Sequence, residues 1–569
     1  MDVLLMVWIR RMKRGNKVVL CKYRSVRRDG KVVSEFVEYL GVEGDQEKVP
    51  LPKKTVMKWT PPERSVRSGD VTVLWHIAQE LKIARTIDRV CGHPPRNNAT
   101  SPGTLLTVWA INSAVDPVSA ALLPTWIEGT DLPTLAGFGQ NIPGKEAFYA
   151  ALDAISRYDE HSRKLIDITT AMDVLLYSHW RQKHPLPTRD DEVLAYDIPS
   201  VIVYGDTRML VRNGLRANTA TQQPVILSVI VSKHDQYPLT IRIQPGNYLS
   251  GEHPQELIPR QSGFPITSGT LVYDRVSSKE ESRGEPDGND WKVIRGVPAL
   301  SKEEEQILRH ADIPETQKNL VFHEGMGDIY SVKLPAHESD EGWDTIVYRD
   351  MTEADASRVT RDKAIDEISK ELHRLRSHIG VNTKNILWGS ITGILEGWES
   401  FFVITLPTEG KTVGFDWTLD NERMDEARAM DGKHLIYSTD RSLNAREVVR
   451  LYLEREFTGN FFRVMTMDED QKPVRPSWGS RGRAYFFVCT LAYRLRSALR
   501  GRIRSADNKT VSLCLDTFLL RLGEIDRLEM DTGKAVESFY VNVTADVRMQ
   551  LDALDMTSLL LPERIPKKP

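Results

Sequence analysis

The chain has 569 residues, 40% hydrophobic and 27% charged, with a net charge of −3. That length exceeds what one hydrophobic core supports and predicts three or four domains of an ordinary soluble globular protein. The four cysteines (Cys21, Cys91, Cys489 and Cys514) form no C-x-x-C pair, which argues against a zinc or disulfide framework and fits a reducing compartment. The opening MDVLLMVWIRRMKR holds an apolar run of only seven residues, with its positive charge after it. No run approaches the roughly 20 residues of a membrane span, so a cytoplasmic protein without membrane contact is expected.

The net charge conceals two basic islands. Residues 1–60 hold 14 Lys/Arg against 7 Asp/Glu, and residues 471–505 hold 9 Lys/Arg and no acid, which leaves −19 for the remainder. Basic islands on an acidic chain suggest contact with a polyanion, here nucleic acid.

Residues 1–60 alternate in strand fashion through LLMVWIR, KVVLCKYRSVR and KVVSEFVEYLG, with turn signals at Arg14–Asn16 and Asp29–Gly30. They predict a small antiparallel sheet, basic on one face. Residues 61–190 read as a helical DNA-binding or linker region, its helices separated by Pro and Gly clusters. From Glu192 the pattern changes to strands. VLAYDIPSVIVYG, PVILSVIVSK, YPLTIRIQPG and GTLVYD, with a short helical EHPQELIPRQ before the last, predict a compact α/β unit over 191–280. Residues 281–430 open on a turn-rich acidic run and read as an insertion, with a charged, solvent-bridging helix at EADASRVTRDKAIDEISKELHRLRSHI. Residues 431–505 supply a strand, KHLIYST, then the amphipathic stretch Glu447–Thr466 and a basic, largely helical segment. Residues 506–569 add a strand or two and a short helix.

On a helical wheel of Glu447–Thr466, Tyr452, Arg455, Glu456, Gly459, Arg463 and Thr466 share one face within roughly 60°. A glycine in the middle of that face presents no side chain and costs about 1 kcal/mol relative to alanine. Two acids sit on the apolar strands upstream, Asp197 and Asp274, 77 residues apart. A buried Asp is normally paired or metal-bound. Two Asp on neighbouring strands, joined by a third acid from a late helix, suit two divalent cations and phosphodiester chemistry. On spacing alone, each Asp could equally end a strand or cap a turn.

The order of these motifs resembles the DDE-type transposases of prokaryotic insertion sequences, in the branch with a Tyr-x2-Arg-x3-Glu-x6-Lys signature. YDIPSVIVYG resembles the first-Asp strand, TLVYDR the second-Asp motif, and MDGKHLIYST followed by REVVRLYLEREFTGNFFR the last strand and signature helix. VEYLG, GDVTVLWHIAQEL and AINSAVDPVSAALLPTWIEGTDLPTLAG resemble the leader region. The resemblance implies an RNase H-like core interrupted by a β-rich insertion, with Asp197 and Asp274 as the first two catalytic, metal-binding acids. It implies two Mg2+ or Mn2+ ions, and double-stranded DNA partners in the form of terminal inverted repeats and target DNA. It also implies a homodimer on DNA, associated with the nucleoid. Tyr452, Arg455 and Arg463, and beyond them Arg475, Arg481 and Arg483 of the basic run, are the expected DNA contacts.

Three positions depart from the pattern. Gly459 stands where the third acid belongs, Thr466 where the Lys belongs, and Val276 where a glycine usually follows the second Asp-Arg. Glu456 is the carboxylate on the same helical face, about 4.5 Å away along the axis, and is the candidate replacement ligand. The expected activity is metal-dependent DNA strand cleavage and transfer. The alternatives are a catalytically inactive, transposase-derived DNA-binding protein and an RNase H-like nuclease acting on RNA.

Overall fold

A computed structural model describes residues 6–15, 17–28, 31–42, 64–92, 100–159, 161, 164–186, 192–197, 200–204, 222–245, 263–274, 291–298, 300–322, 327–335, 342–378, 384–406, 414–454, 479–506, 514–531 and 535–566. It divides into two compact units, Met1–Glu63 and Arg64–Pro569.

The first unit is the expected sheet. Strands β1 (Met6–Arg14), β2 (Lys17–Arg28) and β3 (Lys31–Val42) pair antiparallel in chain order. Arg14 pairs with Lys17, so the hairpin turn has two residues, and Gly15 enters it at φ +62°. Glycine is the residue that takes this conformation without strain.

The second unit opens on β4 (Arg64–Arg67). Seven helices follow: α1 (Gly69–Glu80), α2 (Ile83–Val90), α3 (Pro102–Val115), α4 (Leu123–Glu128), α5 (Leu132–Leu135), α6 (Lys145–Ile155) and α7 (Thr169–Lys183). The hairpin β5 (Ser156–Asp159)–β6 (Lys164–Asp167) precedes α7. Helix α3 starts where Ser101 caps the Thr104 amide and Pro102 takes the first turn. It is apolar on nearly every side and buried along its length, as such a helix must be.

The large sheet comes next. Strands β7 (Glu192–Asp197), β8 (Ser200–Tyr204), β9 (Gln222–Ser232), β10 (Pro238–Pro245), β11 (Gly269–Asp274) and β12 (Trp291–Gly296) are followed by α8 (Lys302–His310). Strands β13 (Leu320–Phe322), β14 (Ile329–Lys333) and β15 (Asp344–Asp350) precede helices α9 (Met351–Ser377) and α10 (Lys384–Leu395). The hairpin β16 (Phe402–Thr405)–β17 (Asp416–Leu419), α11 (Asn421–Met430), β18 (Lys433–Ser438) and α12 (Ala445–Leu453) complete this part. The strand order is β10-β9-β7-β11-β12-β18-β15-β14-β13, with β8 beside β9. Strands β7, β11 and β12 are mutually parallel, and β9 and β10 are antiparallel to their neighbours.

Several elements differ from their expected roles. VLAYDIPSVIVYG is two strands rather than one, both paired with β9; the sequence between them holds Pro199, which has no amide hydrogen to donate to a ladder. Strands β12 to β15, expected in an insertion, are members of the large sheet. Among the described residues, α9, α10, β16–β17 and α11 gather around a core of their own, which includes Ile365, Leu372, Leu387, Ile391 and Phe402. Helix α9 is therefore not purely solvent-bridging: Ile365, Ile368 and Leu372 form a buried stripe, at the spacing that lines one helical face. EHPQELIPRQ lies outside the described residues.

After residue 478 come α13 (Gly479–Ala506), α14 (Leu515–Gly523), β19 (Asp526–Asp531), β20 (Ala535–Val541), α15 (Ala545–Ala553) and β21 (Glu563–Pro566). Strands β21, β20, β19 and β4 form one sheet in that order, so the C-terminal segment closes on the start of the helical region. Helix α13 is a core helix. Ala484, Phe487, Val488, Leu491, Leu495 and Leu499 are buried in the main cluster with Trp109, Phe148, Tyr237 and Leu239. Alternation along the sheet sends Leu194, Leu271, Tyr273 and Val293 into this cluster, while Val272, Ile294 and Ile436 meet Val448 and Val449 of α12 on the other face. The central strands are thus covered on both sides, which explains their nearly continuous apolar runs.

Candidate functional site

The parallel ladder of β7 and β11 pairs Gly269 with Glu192 and Val272 with Ala195. Carried two residues on, that register sets Asp274 level with Asp197, each the last residue of its strand. The carboxyl ends of adjacent parallel strands are where open α/β sheets gather functional groups. On the other side of β11, Asp274 pairs with Gly296, the last residue of β12.

Helix α12 is placed over this end by a capping box, in which Asn444 caps the Glu447 amide and Glu447 reaches back to the Asn444 amide. Val448, Val449 and Tyr452 of α12 pack on Val272, Ile294, Tyr348 and Ile436. Tyr452 is buried, and its hydroxyl donates to Asp274 Oδ1 at 2.7 Å. A side chain at Gly296 would overlap both the Tyr452 hydroxyl and Asp274 Oδ1. The glycine is therefore the third member of the arrangement, through the volume it leaves empty. Beyond α12, Glu454 forms an ion pair with Lys233 at 2.5 Å, tying the helix end to the turn after β9.

The structure thus sets the strand ends at Asp197 and Asp274 side by side and joins Tyr452 to Asp274. Tyr452, expected to touch DNA, instead spends its hydroxyl on Asp274 and its ring in the core. Arg455, Glu456, Gly459, Arg463, Thr466 and Arg475 lie outside the described residues, as does Val276. Arg481 and Arg483, at the start of α13, pair with Asp153 of α6 (2.6 Å) and Asp167 of β6 (3.1 Å). The described part of the basic segment therefore differs from a strip that follows a phosphate backbone. Its apolar face is in the core, and that burial draws its cations toward acids of neighbouring elements. The role of Gly296 cannot be read from the sequence because it depends on two partners, 22 residues before it and 156 after. The signal available was a glycine ending the strand WKVIRG directly after the second-acid strand.

Among the described residues no group of three or more His, Cys, Asp or Glu is placed to hold a metal ion. By residue type the two strand-end acids, Asp197 and Asp274, are hard-oxygen donors, whose chemistry fits Mg2+ or Mn2+. Among the described residues no helix is long and apolar enough to cross a membrane.

No family model matches this chain, and no curated protein matches it. Among solved structures it is similar to a cryo-EM structure of the piggyBac transposase synaptic complex with hairpin DNA, over 89% of this chain and 87% of that one, at 9% identity and a TM-score of 0.34.

Proposed function

We propose that the chain is a DDE-type transposase or a close derivative, acting on double-stranded DNA at the strand ends that carry Asp197 and Asp274. The supporting observation is the register: two acids, 77 residues apart in sequence, end adjacent central strands at the same level. The sequence β10-β9-β7-β11-β12, two antiparallel strands followed by three parallel ones, is compatible with an RNase H-like core in which these strands carry the first two acids. Asp197 and Asp274 would hold Mg2+ or Mn2+, which supplies charge neutralisation at the phosphodiester and a more acidic attacking hydroxyl. The protein's own contribution is orientation. Tyr452 fixes Asp274 through its hydroxyl, and Gly296 admits both groups. Outer partners of this kind hold a ligand in its working rotamer. Glu456 is the proposed third acid. Arg455 and Arg463, on the same helical face in the sequence, are the proposed contacts to phosphate. The same reading carries the terminal inverted repeats, a dimer on DNA and association with the nucleoid.

A second reading is favoured by Gly459 and Thr466, which replace the acid and the lysine of the signature: an inactive derivative that binds DNA without cutting it. The experiment for both is nicking of duplex DNA carrying the repeats that flank the gene, in Mg2+ or Mn2+. The active reading expects strand cleavage by the wild-type chain and none by Asp197→Ala or Asp274→Ala. Identical behaviour of wild type and these variants overturns the site. Salt-sensitive binding without cleavage, with cleavage appearing in Gly459→Glu, selects the second reading.

A further inference from the structure

The N-terminal sheet carries a feature that a strand-cutting site does not require. Cross-strand pairing puts Trp8 opposite Tyr23 and Tyr23 opposite Phe36, so three rings cross the three strands on one face. Trp8 and Tyr23 lie 6.2 Å apart between ring centroids and 22° from coplanar, and Tyr23 and Phe36 lie 5.8 Å apart. Cys21 pairs with Tyr39, which adds a fourth ring on the same side, because residues two apart on a strand share a face. Phe36 is 53% exposed and Tyr39 54%. Arg10 lies over the Tyr23 ring at 5.9 Å, and Arg14 shares its face by the same alternation. No acid occurs among the described residues of this face: Glu35, opposite Arg24, belongs to the other one. On the same face the central-strand residues Val19 and Cys21 are buried, at 8% and 4% exposure, whereas the rings of Phe36 and Tyr39 on β3 stay open.

We infer that this face of the N-terminal sheet is a binding platform for single-stranded nucleic acid, stacking unpaired bases on Phe36 and Tyr39, with Arg10 and Arg14 against the backbone. Charge complementarity selects a polyanion, since residues 1–60 carry 14 basic against 7 acidic residues. The rings select a single strand. The base faces of a duplex are already stacked on one another, whereas the exposed rings of Phe36 and Tyr39 need base faces that are free. Aromatic rows beside arginines on a sheet are the general means of holding such strands.

This inference does not depend on the acidic site. Its test uses the full chain and a fluorescein-labelled oligo(dT) of about 16 nucleotides, the upper range of such sites, read by fluorescence anisotropy beside a duplex of equal length. Phe36→Ala is expected to weaken oligo(dT) binding about tenfold and to leave duplex binding unchanged. Tyr39→Ala should do the same, and Arg10→Ala should weaken oligo(dT) binding and flatten its salt dependence. Ile9→Ala, on the opposite face and 59% exposed, should change neither. Undiminished oligo(dT) binding in both ring variants overturns the platform, as does equal loss for the two probes. Nicking by Phe36→Ala read in parallel keeps the two sites apart: cleavage that persists while oligo(dT) binding is unaltered refutes the platform alone, and oligo(dT) binding that persists in an inactive Asp274→Ala chain refutes only the catalytic site.

Discussion

The two basic islands look alike in sequence and are opposite in structure. Helix α13 spends most of its arginines on partners within the protein. Arg494 is fully buried, donates to Asp173 at 2.7 Å and to the Pro238 and Leu239 carbonyls, and lies over the Tyr237 ring. Arg496 pairs with Asp516, and Arg502 with Glu80. Together with Arg481 and Arg483, these arginines draw acids from α1, α6, β6, α7 and α14, and so tie the helical region together. The N-terminal sheet leaves Arg10, Lys13 and Arg14 exposed, with Arg10 over the Tyr23 ring. An excess of positive charge in a window of sequence therefore specifies no partner. What decides is whether the acidic remainder of the chain supplies the counterions.

The largest test of this contrast is Asp173→Ala. It leaves the Arg494 charge buried without its carboxylate and is expected to cost about 3–5 kcal/mol in chemical denaturation. The double variant Asp173→Leu/Arg494→Met should recover most of that loss, because a well-packed apolar pair can replace a buried ion pair. On the N-terminal sheet, Arg10→Ala should fall within about 0.5 kcal/mol of wild type. A cost of several kcal/mol there, or none at Asp173, would break the comparison.

The same pair makes a pH prediction. Burial pushes the Asp173 carboxyl up to about 6, against the pull of Arg494. The folded value lies above the unfolded value of about 3.9, so the native state holds this proton more tightly. The stability contributed by that proton is complete below about pH 4 and is lost as pH rises through about 6. The full effect is on the order of 3 kcal/mol. Asp173→Asn cannot titrate, so the stability of wild type relative to this variant should decline from pH 4 to pH 6.5. A flat difference would show that Arg494 offsets the whole cost of burial.

How much of this was legible in the sequence follows from the range of each interaction. The N-terminal sheet could be read with its turns because alternation and turn chemistry are local. Asp197 and Asp274 stood out because acids are rare at the ends of apolar strands, but their common level is a matter of register between strands and appears only in the fold. Tyr452 could be placed on a polar helical face. That its hydroxyl would turn to Asp274 could not be read, because the partner is 178 residues away. The insertion looks wider in sequence than in the fold because strands β12 to β15 look the same whether they pair with the large sheet or among themselves. The basic segment looks like a surface in sequence because its arginines are adjacent there, whereas their acids are scattered from residue 80 to residue 516.

The smallest expected effect is the most discriminating. The pair of Arg481 with Asp153 is partly exposed, each side chain at 38%, and Arg481 also lies 5.1 Å from the Tyr149 ring. Solvent screens such a pair, so Arg481→Ala should cost no more than about 1 kcal/mol. If its charge is spent on Asp153, the variant should bind duplex DNA as wild type does, with the same slope of log affinity against log salt. If Arg481 instead leaves Asp153 for a phosphate, that slope should fall by about 1. Asp153→Ala separates the two outcomes further. It frees Arg481 without removing it, so steeper salt dependence in this variant and no change in Arg481→Ala would identify internal pairing as the factor that keeps this half of the basic charge away from nucleic acid.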